Sequence, residues 1–194
     1  MYKKLNITLN ELRILGVFTK GLDKEYYIRE LSSILAINVR TVYLTLKSLE
    51  TKGVLKSRIT WKLRFYMINR KNYPSFFYLT MAESYKLLEF FNRHYEYKQL
   101  FYELSTLYPD AILLVFGSYA KMAETKESDL DLFCICDAIL QKEKTDMITS
   151  KCSVKVNIKY SSLKNFSKED ILTKEVILNH ICMQNMENYL RLIW

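Results

Sequence analysis

An apolar run, AILLVF at residues 111–116, ends at Gly117-Ser118, and SDLDLF follows at residues 128–133. The chain has only four glycines, so a glycine between an apolar run and a serine strongly constrains the local structure. The apolar run predicts a buried strand, YAKMAE predicts the start of a helix, and SDLDLFCIC predicts the next strand. The expected order is strand, Gly-Ser turn, helix, strand.

Two acidic side chains lie together in the second of these strands. Asp129 and Asp131 project from the same face because side chains alternate along a strand. Carboxylates this close repel each other unless a cation lies between them, and hard oxygen ligands favour Mg²⁺ shared with nucleotide phosphates. A Gly-Ser turn that starts a helix also presents backbone N–H groups to a phosphate. The sequence therefore predicts a site for Mg²⁺ and a nucleotide.

Gly117-Ser118 followed by SDLDL at residues 128–132 resembles the nucleotidyltransferase superfamily typified by DNA polymerase beta, and within it the minimal nucleotidyltransferase domains. The resemblance covers residues 108–194. It implies binding of Mg²⁺ and a nucleoside triphosphate, with ATP expected, and attack of an acceptor hydroxyl on the α-phosphate with release of pyrophosphate. The site residues it implies are Asp129 and Asp131 for catalysis and metal binding, and Gly117, Ser118, Ser128 and Asn157 for nucleotide binding.

Asn157 departs from the family pattern. Members of the family carry a third carboxylate on the following strand, which helps to bind metal and accepts the proton of the attacking hydroxyl. In CSVKVNIKY, at residues 152–160, that position falls on Asn157, which offers an oxygen but cannot act as a base. Three outcomes stay open: slow transfer, substitution by an acidic residue such as Asp137 or Asp146, or nucleotide binding without catalysis.

The first third of the chain is strongly basic. Residues 1–72 contain 15 Lys/Arg and 5 Asp/Glu, whereas residues 73–194 contain 14 and 16, so the net charges are +10 and −2. Thr8 and Glu11 predict a capping box before a first helix, and Asn38 predicts the cap of a third helix over residues 39–53. Val39, Val42, Leu46 and Leu49 are expected to form its packed face.

Two strand-like runs around TWK, residues 60–62, follow the third helix. Three helices and a basic hairpin resemble a winged helix-turn-helix over residues 8–70. The resemblance implies DNA contacts by the third helix in the major groove and by the hairpin on the backbone or in the minor groove. The residues expected to make them are Arg40, Thr41, Tyr43, Lys47, Lys56, Arg58, Lys62 and Arg64. Because the hairpin turn lacks glycine and Asn-Gly, we expect a longer or distorted wing, with Trp61 exposed at its tip or folded back.

The segment between these regions predicts a helical connector. Pro74 marks a seam, and Thr80 with Glu83 predicts a capping box that opens a helix ending near Pro109, with a break inside it. Its aromatic side chains are expected in the core or at the interface of a homodimer. The tail from Ser167, with Asp170 as its capping partner, is expected to be helical through Leu190.

The sequence thus predicts a mixed α/β chain (α+β): a winged helix-turn-helix at residues 1–72, a connecting helix at 73–107, and a nucleotidyltransferase-like mixed sheet with helices at 108–194. The expected function is a DNA-binding protein that transfers a nucleotidyl group from Mg-NTP to a protein, RNA or small-molecule hydroxyl. The alternatives are a catalytically impaired nucleotide-sensing transcription regulator, an antitoxin-like protein with a toxin partner, or a pure interaction module. With no long apolar run and no disulfide-like cysteine pattern, we expect a cytoplasmic protein without a membrane partner.

Overall fold

The computed structural model describes residues 6–137 and 140–194. The chain divides into two compact units: the residues up to Tyr85 together with Trp194, and Lys86–Ile193. Helices and a small antiparallel sheet in the first unit and a mixed sheet with helices in the second confirm the predicted fold class. The predicted boundaries after residues 72 and 107 stay a prediction. Among the described residues, none of the helices combines the length and apolar character needed to traverse a bilayer.

The first unit has the element order of a winged helix-turn-helix, as predicted. Its elements are α1 (Leu9–Phe18), β1 (Tyr26–Tyr27), α2 (Ile28–Leu35), α3 (Val39–Thr51), β2 (Leu55–Thr60) and β3 (Leu63–Ile68). The strands form an antiparallel sheet in the order β1-β3-β2. Buried residues of all three helices and of the hairpin base form its core, among them Phe18, Leu31, Leu46 and Tyr66.

A buried carboxylate joins α1 to α3. Glu11 closes the predicted capping box with Thr8 and also accepts hydrogen bonds from Ser48 Oγ at 2.7 Å and Lys52 Nζ at 2.6 Å. Burial alone would raise the pKa of Glu11, but the hydrogen bonds from Lys52, Thr8 and Ser48 hold it below its usual value. The ionised Glu11 side chain therefore holds α3 against α1. Asn38 caps the N-terminus of α3, as predicted.

The hairpin of β2 and β3 differs from the prediction at its turn. Thr60 pairs directly with Leu63, so the turn consists of two residues, Trp61 and Lys62, and the expectation of a longer wing was wrong. Trp61 supplies the left-handed conformation, with φ of 57°, that glycine usually supplies at such a turn. Of the two predicted positions for Trp61, the exposed one is correct, because 96% of its surface is accessible.

The connector helix begins earlier than predicted. α4 (Pro74–Arg93) starts at Pro74, a favourable first helical residue because it has no N–H to leave unpaired. Thr80 is therefore not an N-cap, and its hydroxyl donates to Phe76 O within the helix. The predicted break is present: a short 3-10 helix, Tyr95–Tyr97, separates α4 from α5 (Lys98–Leu107).

The second unit contains a mixed four-stranded sheet. Its elements after α5 are β4 (Ile112–Phe116), α6 (Gly117–Lys121), β5 (Leu130–Ile135), α7 (Lys142–Thr149), β6 (Val156–Ser161), α8 (Ile171–Leu178), β7 (Ile181–Gln184) and α9 (Met186–Ile193). The strand order is β6-β5-β4-β7. β4 is antiparallel to β5 and β7, whereas β5 and β6 are parallel.

The C-terminal tail corrects the sequence prediction. Ser167 was expected to cap the helix with Asp170 as its partner, but Asp170 itself is the N-cap of α8. The chain then leaves the helix at Leu178 and forms β7 instead of continuing as a helix to Leu190. β7 pairs with the edge of β4, so backbone hydrogen bonds to a strand distant in sequence replace those of a helix. One sheet face, which includes Val115, Leu132 and Ile158, packs on α5 and α7. The polar residues discussed below lie on the other face.

Candidate functional site

The two predicted aspartates lie at one end of the sheet, where three strands meet. Asp131 pairs in register with Phe116 at the end of β4 and with Asn157 near the start of β6. Asp129 immediately precedes β5 and carries its carboxylate to the same side. Because β5 and β6 are parallel, Asn157 lies beside Asp131 on the same face. The position inferred from the sequence for the third polar residue is therefore adjacent to both carboxylates.

Asn157 joins the two carboxylates directly. Its Nδ2 donates to Asp129 Oδ2 at 3.0 Å and to Asp131 Oδ1 at 3.1 Å. Both carboxylates thus converge on one point, which the amide N–H groups occupy. The two donors reduce the repulsion that like charges at this separation would otherwise create.

A lysine completes the electrostatics of the site. Lys155 Nζ lies 3.3 Å from Asp129 Oδ2, and both side chains are partly exposed. The hydrogen bond from Asn157 and, second, that from Lys155 lower the pKa of Asp129 below its usual value. Asp129 is therefore ionised throughout the physiological pH range. The sequence signal for Lys155 is its spacing of two from Asn157, which places both on the same face of the strand.

Gly117 is required by the packing of the site. It has a φ of 70°, a conformation that L-residues adopt only with strain. A Cβ atom at this position would lie 2.6 Å from Asp131 Oδ2. The absence of a side chain at Gly117 therefore allows the Asp131 carboxylate to lie against the turn that begins α6.

The two serines occupy different positions. Ser118 is half-buried in the first turn of α6, directly after Gly117, and its carbonyl accepts hydrogen bonds from the backbone N–H groups of Met122 and Ala123. The Ser128 hydroxyl accepts from Thr125 N at 2.9 Å and closes the loop before β5. Gly117 therefore adjoins Asp131 and Ser118 follows it in the same turn, whereas the contacts of Ser128 are within its own loop.

Neither of the acidic residues considered as substitutes joins this group. Asp137 lies beyond the opposite end of β5, where it accepts a hydrogen bond from Leu163 N at 2.9 Å. Asp146 lies on α7, which packs on the opposite face of the sheet through Ile148. Substitution of the third carboxylate by either residue is incompatible with this arrangement.

The exposed face of α3 carries most of the side chains predicted to contact DNA. Arg40, Tyr43 and Lys47 are exposed, and Thr41 is half-buried. Val39 was expected in the packed face, but it is 47% exposed at the first position of the helix. Val42, Leu46 and Leu49 are fully buried and fix which face of α3 is free.

The basic residues of the hairpin do not share one face. Lys56 and Arg58 alternate with Ser57 along β2, whereas Arg64 pairs with Ile59 and lies on the opposite face. Two of the four cations are also engaged in ion pairs: Arg58 with Glu25 at 2.6 Å and Arg64 with Glu50 at 3.6 Å. The hydrogen bond from Arg58 lowers the pKa of Glu25. Lys56 and Lys62, both exposed, are the better placed for contacts with a partner.

Residues 97–188 match the family model described as nucleotidyltransferase domain. The chain contains a nucleotidyltransferase domain. The match includes the Gly117 turn, β5 with both aspartates, and Asn157, and it begins and ends inside the second structural unit. No curated protein matches the sequence significantly.

Among solved structures, the chain is similar to TrmBL2, an archaeal chromatin protein whose structure is described as showing a novel mode of DNA binding. The two chains are 14% identical over 80% of this chain and 66% of TrmBL2, with a TM-score of 0.29. A TM-score this low does not establish a shared fold.

The donor set of the nucleotidyltransferase domain fits one hard divalent cation. The carboxylates of Asp129 and Asp131 converge on a single point, and carboxylate oxygens are the ligands that Mg²⁺ prefers. Within residues 6–137 and 140–194, no three His, Cys, Asp or Glu side chains are grouped as a metal site. A cation here would therefore depend on two carboxylates, with phosphate oxygens of a bound nucleotide completing its ligands. Asn157 would contribute its amide oxygen only after its N–H groups turn away from the carboxylates.

Sequence reasoning missed the contacts that hold α6. Tyr119, two residues after Gly117, has its hydroxyl 2.8 Å from the hydroxyl of Tyr97 in the 3-10 helix. Burial, and secondarily this hydrogen bond, strongly raises the pKa of Tyr97, so its phenol is neutral. The His94 ring packs edge-on against Tyr119 with 5.2 Å between ring centroids. Since Tyr97 and Tyr119 are 22 residues apart, no local sequence pattern indicated the pairing.

Proposed function

We propose that the nucleotidyltransferase domain binds a nucleoside triphosphate, with ATP as the expected nucleotide, and transfers its nucleotidyl group to an acceptor hydroxyl. The observation that carries this proposal is the convergence of Gly117, Asp129, Asp131 and Asn157 at one end of the sheet in a domain that matches the family. The acceptor belongs to one of three classes: a protein, an RNA or a small molecule.

The side chains of the site have separate parts in the proposal. Gly117 and Ser118 lie where the chain passes from β4 into α6, and we assign the triphosphate to this turn. Asp129 and Asp131 would hold Mg²⁺, which when bound neutralises phosphate charge and activates the phosphoryl group for attack. Lys155, next to Asp129, is close enough to pair with a phosphate oxygen once the carboxylates bind a cation.

Transfer of label tests the proposal. The purified protein is incubated with Mg²⁺ and each of the four nucleoside triphosphates labelled in the α-phosphate, with and without cell lysate. We expect label on a protein or RNA acceptor, and loss of that label in Asp129→Ala. Absence of transfer with all four nucleotides, in lysate and in its absence, would contradict the proposed enzymatic activity.

We further propose that the winged helix-turn-helix binds DNA through α3 and the hairpin. Arg40 and Lys47 are both exposed, and residues 1–72 carry a net charge of +10. This charge favours a polyanionic partner, because neutralised phosphates release their condensed counterions. Transcription regulation is the role that such a module would give the whole chain.

The double substitution Arg40→Ala/Lys47→Ala is expected to weaken binding to duplex DNA about tenfold or more at low salt. The salt slope, which is the slope of log affinity against log salt concentration, should fall in magnitude by about one for each lost phosphate contact. Fluorescence anisotropy at several salt concentrations measures both. Lys142→Ala/Lys144→Ala removes the same charge from exposed positions on α7 and is the matched control. Equal losses in both double variants would show that only net charge matters and would contradict a DNA surface on α3.

One observation favours a second candidate function, a nucleotide-sensing DNA-binding regulator without transferase activity. Asn157 occupies the place of the third carboxylate and donates to both aspartates, so the site lacks a base at that position. Such a protein would bind Mg-nucleotide and DNA and release no pyrophosphate. An antitoxin-like protein that holds a toxin partner has the same site chemistry and belongs to this class.

Asn157→Asp separates the two functions. The new carboxylate would lie beside Asp129 and Asp131, so its repulsion should lower the melting temperature in the absence of divalent cation. We also expect tighter Mg²⁺ binding, so that the melting temperature of the variant rises more steeply with Mg²⁺ concentration than that of the native protein. Gain of label transfer in this variant would identify Asn157 as the cause of impaired catalysis. Asn157→Ala is the control, because it removes the amide without adding charge. Identical Mg²⁺ responses in Asn157→Asp and the native protein would contradict the position assigned to this side chain.

A further inference from the structure

The turn of the hairpin carries an apolar side chain that is not packed in the core of the domain. Trp61 is 96% exposed, and its neighbours along the hairpin, Ile59 and Leu63, are 66% and 49% exposed. At the other end of the same hairpin Leu55 and Ile68 are buried. Burial therefore falls from the base of the hairpin to its tip, which leaves the indole ring in solvent. A tryptophan in this position stabilises little of the domain, because it removes little apolar surface from water.

The backbone gives a second reason to seek a role outside the fold. Trp61 has φ of 57° in a two-residue turn, a conformation for which glycine or asparagine is favoured. Neither turn formation nor burial explains a large aromatic residue there. Strained residues that the fold does not require are common where a protein contacts a partner.

The charge around the tip indicates the chemistry of that partner. Lys62 is the other turn residue and is exposed, whereas the exposed Lys56 lies on the same hairpin near its base. An aromatic ring next to a lysine, in a region of net charge +10, complements a nucleic acid, in which flat apolar bases lie next to phosphates. An apolar patch for a protein partner would not require this cationic surround.

We propose that Trp61 is a DNA-contacting wedge, whose indole ring packs against the bases of duplex DNA while Lys62 contacts the adjacent phosphate. Apolar side chains used in this way partly unstack a base step and are held there by the surrounding backbone contacts. The inference rests on the proposed DNA binding of the winged helix-turn-helix and adds to it the residue that touches the bases.

Substitution at Trp61 separates a base contact from a phosphate contact. Trp61→Gly removes the ring and suits the positive φ of the turn, so the melting temperature should not fall. We expect its affinity for a fluorescein-labelled mixed-sequence duplex to fall about tenfold or more with an unchanged salt slope. Lys62→Ala should instead reduce the salt slope by about one. Trp61→Phe, which retains an aromatic ring, should recover most of the affinity.

Fluorescence reports the contact directly. The chain has two tryptophans, so Trp194→Phe leaves Trp61 as the single indole reporter. Addition of duplex DNA should quench and shift its emission, whereas a duplex at high salt, where binding is lost, should not.

Each contrary outcome has a defined meaning. If Trp61→Gly binds duplex DNA with the native affinity, the wedge proposal is wrong and the proposed DNA binding stands. The same conclusion follows if Trp61→Gly loses affinity and Trp61→Phe does not restore it. An effect of Trp61→Gly on single-stranded but not duplex DNA overturns the assignment to duplex DNA. A changed oligomeric state in Trp61→Gly assigns the ring to a second copy of the chain. Absence of DNA binding in the native protein overturns both proposals.

Discussion

Asp131→Asn is expected to lower nucleotidyl transfer about a hundredfold or more, the loss typical when a group that stabilises transition-state charge is removed. Asp131 Oδ1 converges with Asp129 Oδ2 on the point that Asn157 Nδ2 occupies, so the variant leaves one charged ligand for a divalent cation. The fold should not suffer, because asparagine offers an oxygen to the Asn157 amide and removes a like charge beside Asp129. We therefore expect an unchanged or higher melting temperature together with lost transfer and weaker Mg²⁺-dependent nucleotide binding.

Asp137→Asn is the matched control for this variant. Asp137 follows the same strand at its opposite end and accepts a hydrogen bond from Leu163 N, away from Asp129 and Asp131. The chemical change is identical, and transfer should remain near the native rate. Isothermal titration with Mg-nucleotide and the label assay measure the two effects. Equal transfer by Asp131→Asn and the native protein would remove Asp131 from the site.

Gly117→Ala is expected to abolish Mg²⁺-dependent nucleotide binding and to destabilise the protein by about 1–2 kcal/mol, the usual penalty for a side chain in the left-handed region. The larger effect comes from the contact: the new Cβ would lie 2.6 Å from Asp131 Oδ2, closer than atoms can approach, so the carboxylate must move. Its displacement separates Asp131 from Asn157 and from Asp129.

Gly53→Ala distinguishes strain from displacement of the carboxylate. Gly53 has a nearly equal φ of 73°, and its nearest neighbour is the end of the Asn72 side chain at 3.0 Å, in the winged helix-turn-helix. Both variants should lose similar stability in thermal denaturation, but only Gly117→Ala should lose nucleotide binding. Retained nucleotide affinity in Gly117→Ala would show that Asp131 does not need its position against the turn.

Local patterns predicted the parts of the candidate site that neighbouring residues form. Alternation along one strand fixes Asp129 and Asp131 to the same side, and an apolar run before Gly117 suffices to predict a strand that ends in a turn. The caps at Thr8 and Asn38 were also correct, because a capping side chain bonds backbone only two or three residues away.

The errors share a physical cause. β7 was predicted as helix because its residues have helical apolar spacing, but the strand gains its hydrogen bonds from β4, about seventy residues earlier in the chain. A longer or distorted wing was predicted because the turn lacks glycine and Asn-Gly, yet six consecutive pairs between β2 and β3 hold a two-residue turn with Trp61 at positive φ. Arg64 stays a predicted DNA contact, and strand register places it on the face opposite Arg58, 3.6 Å from Glu50.

The sequence by itself determined the fold class, the order of the elements, the basic character of the first third, and the residue types available to bind a cation and phosphates. These depend on side-chain periodicity, charge and local hydrogen bonds, all of which act over a few residues. Only the tertiary structure decided that Asn157 bridges both aspartates, that Asp131 lies against Gly117, and that Asp137 and Asp146 are excluded from the site. Those relations require strands from distant parts of the chain to pair in one register, and a shift of one residue would move Asn157 to the opposite face of the sheet.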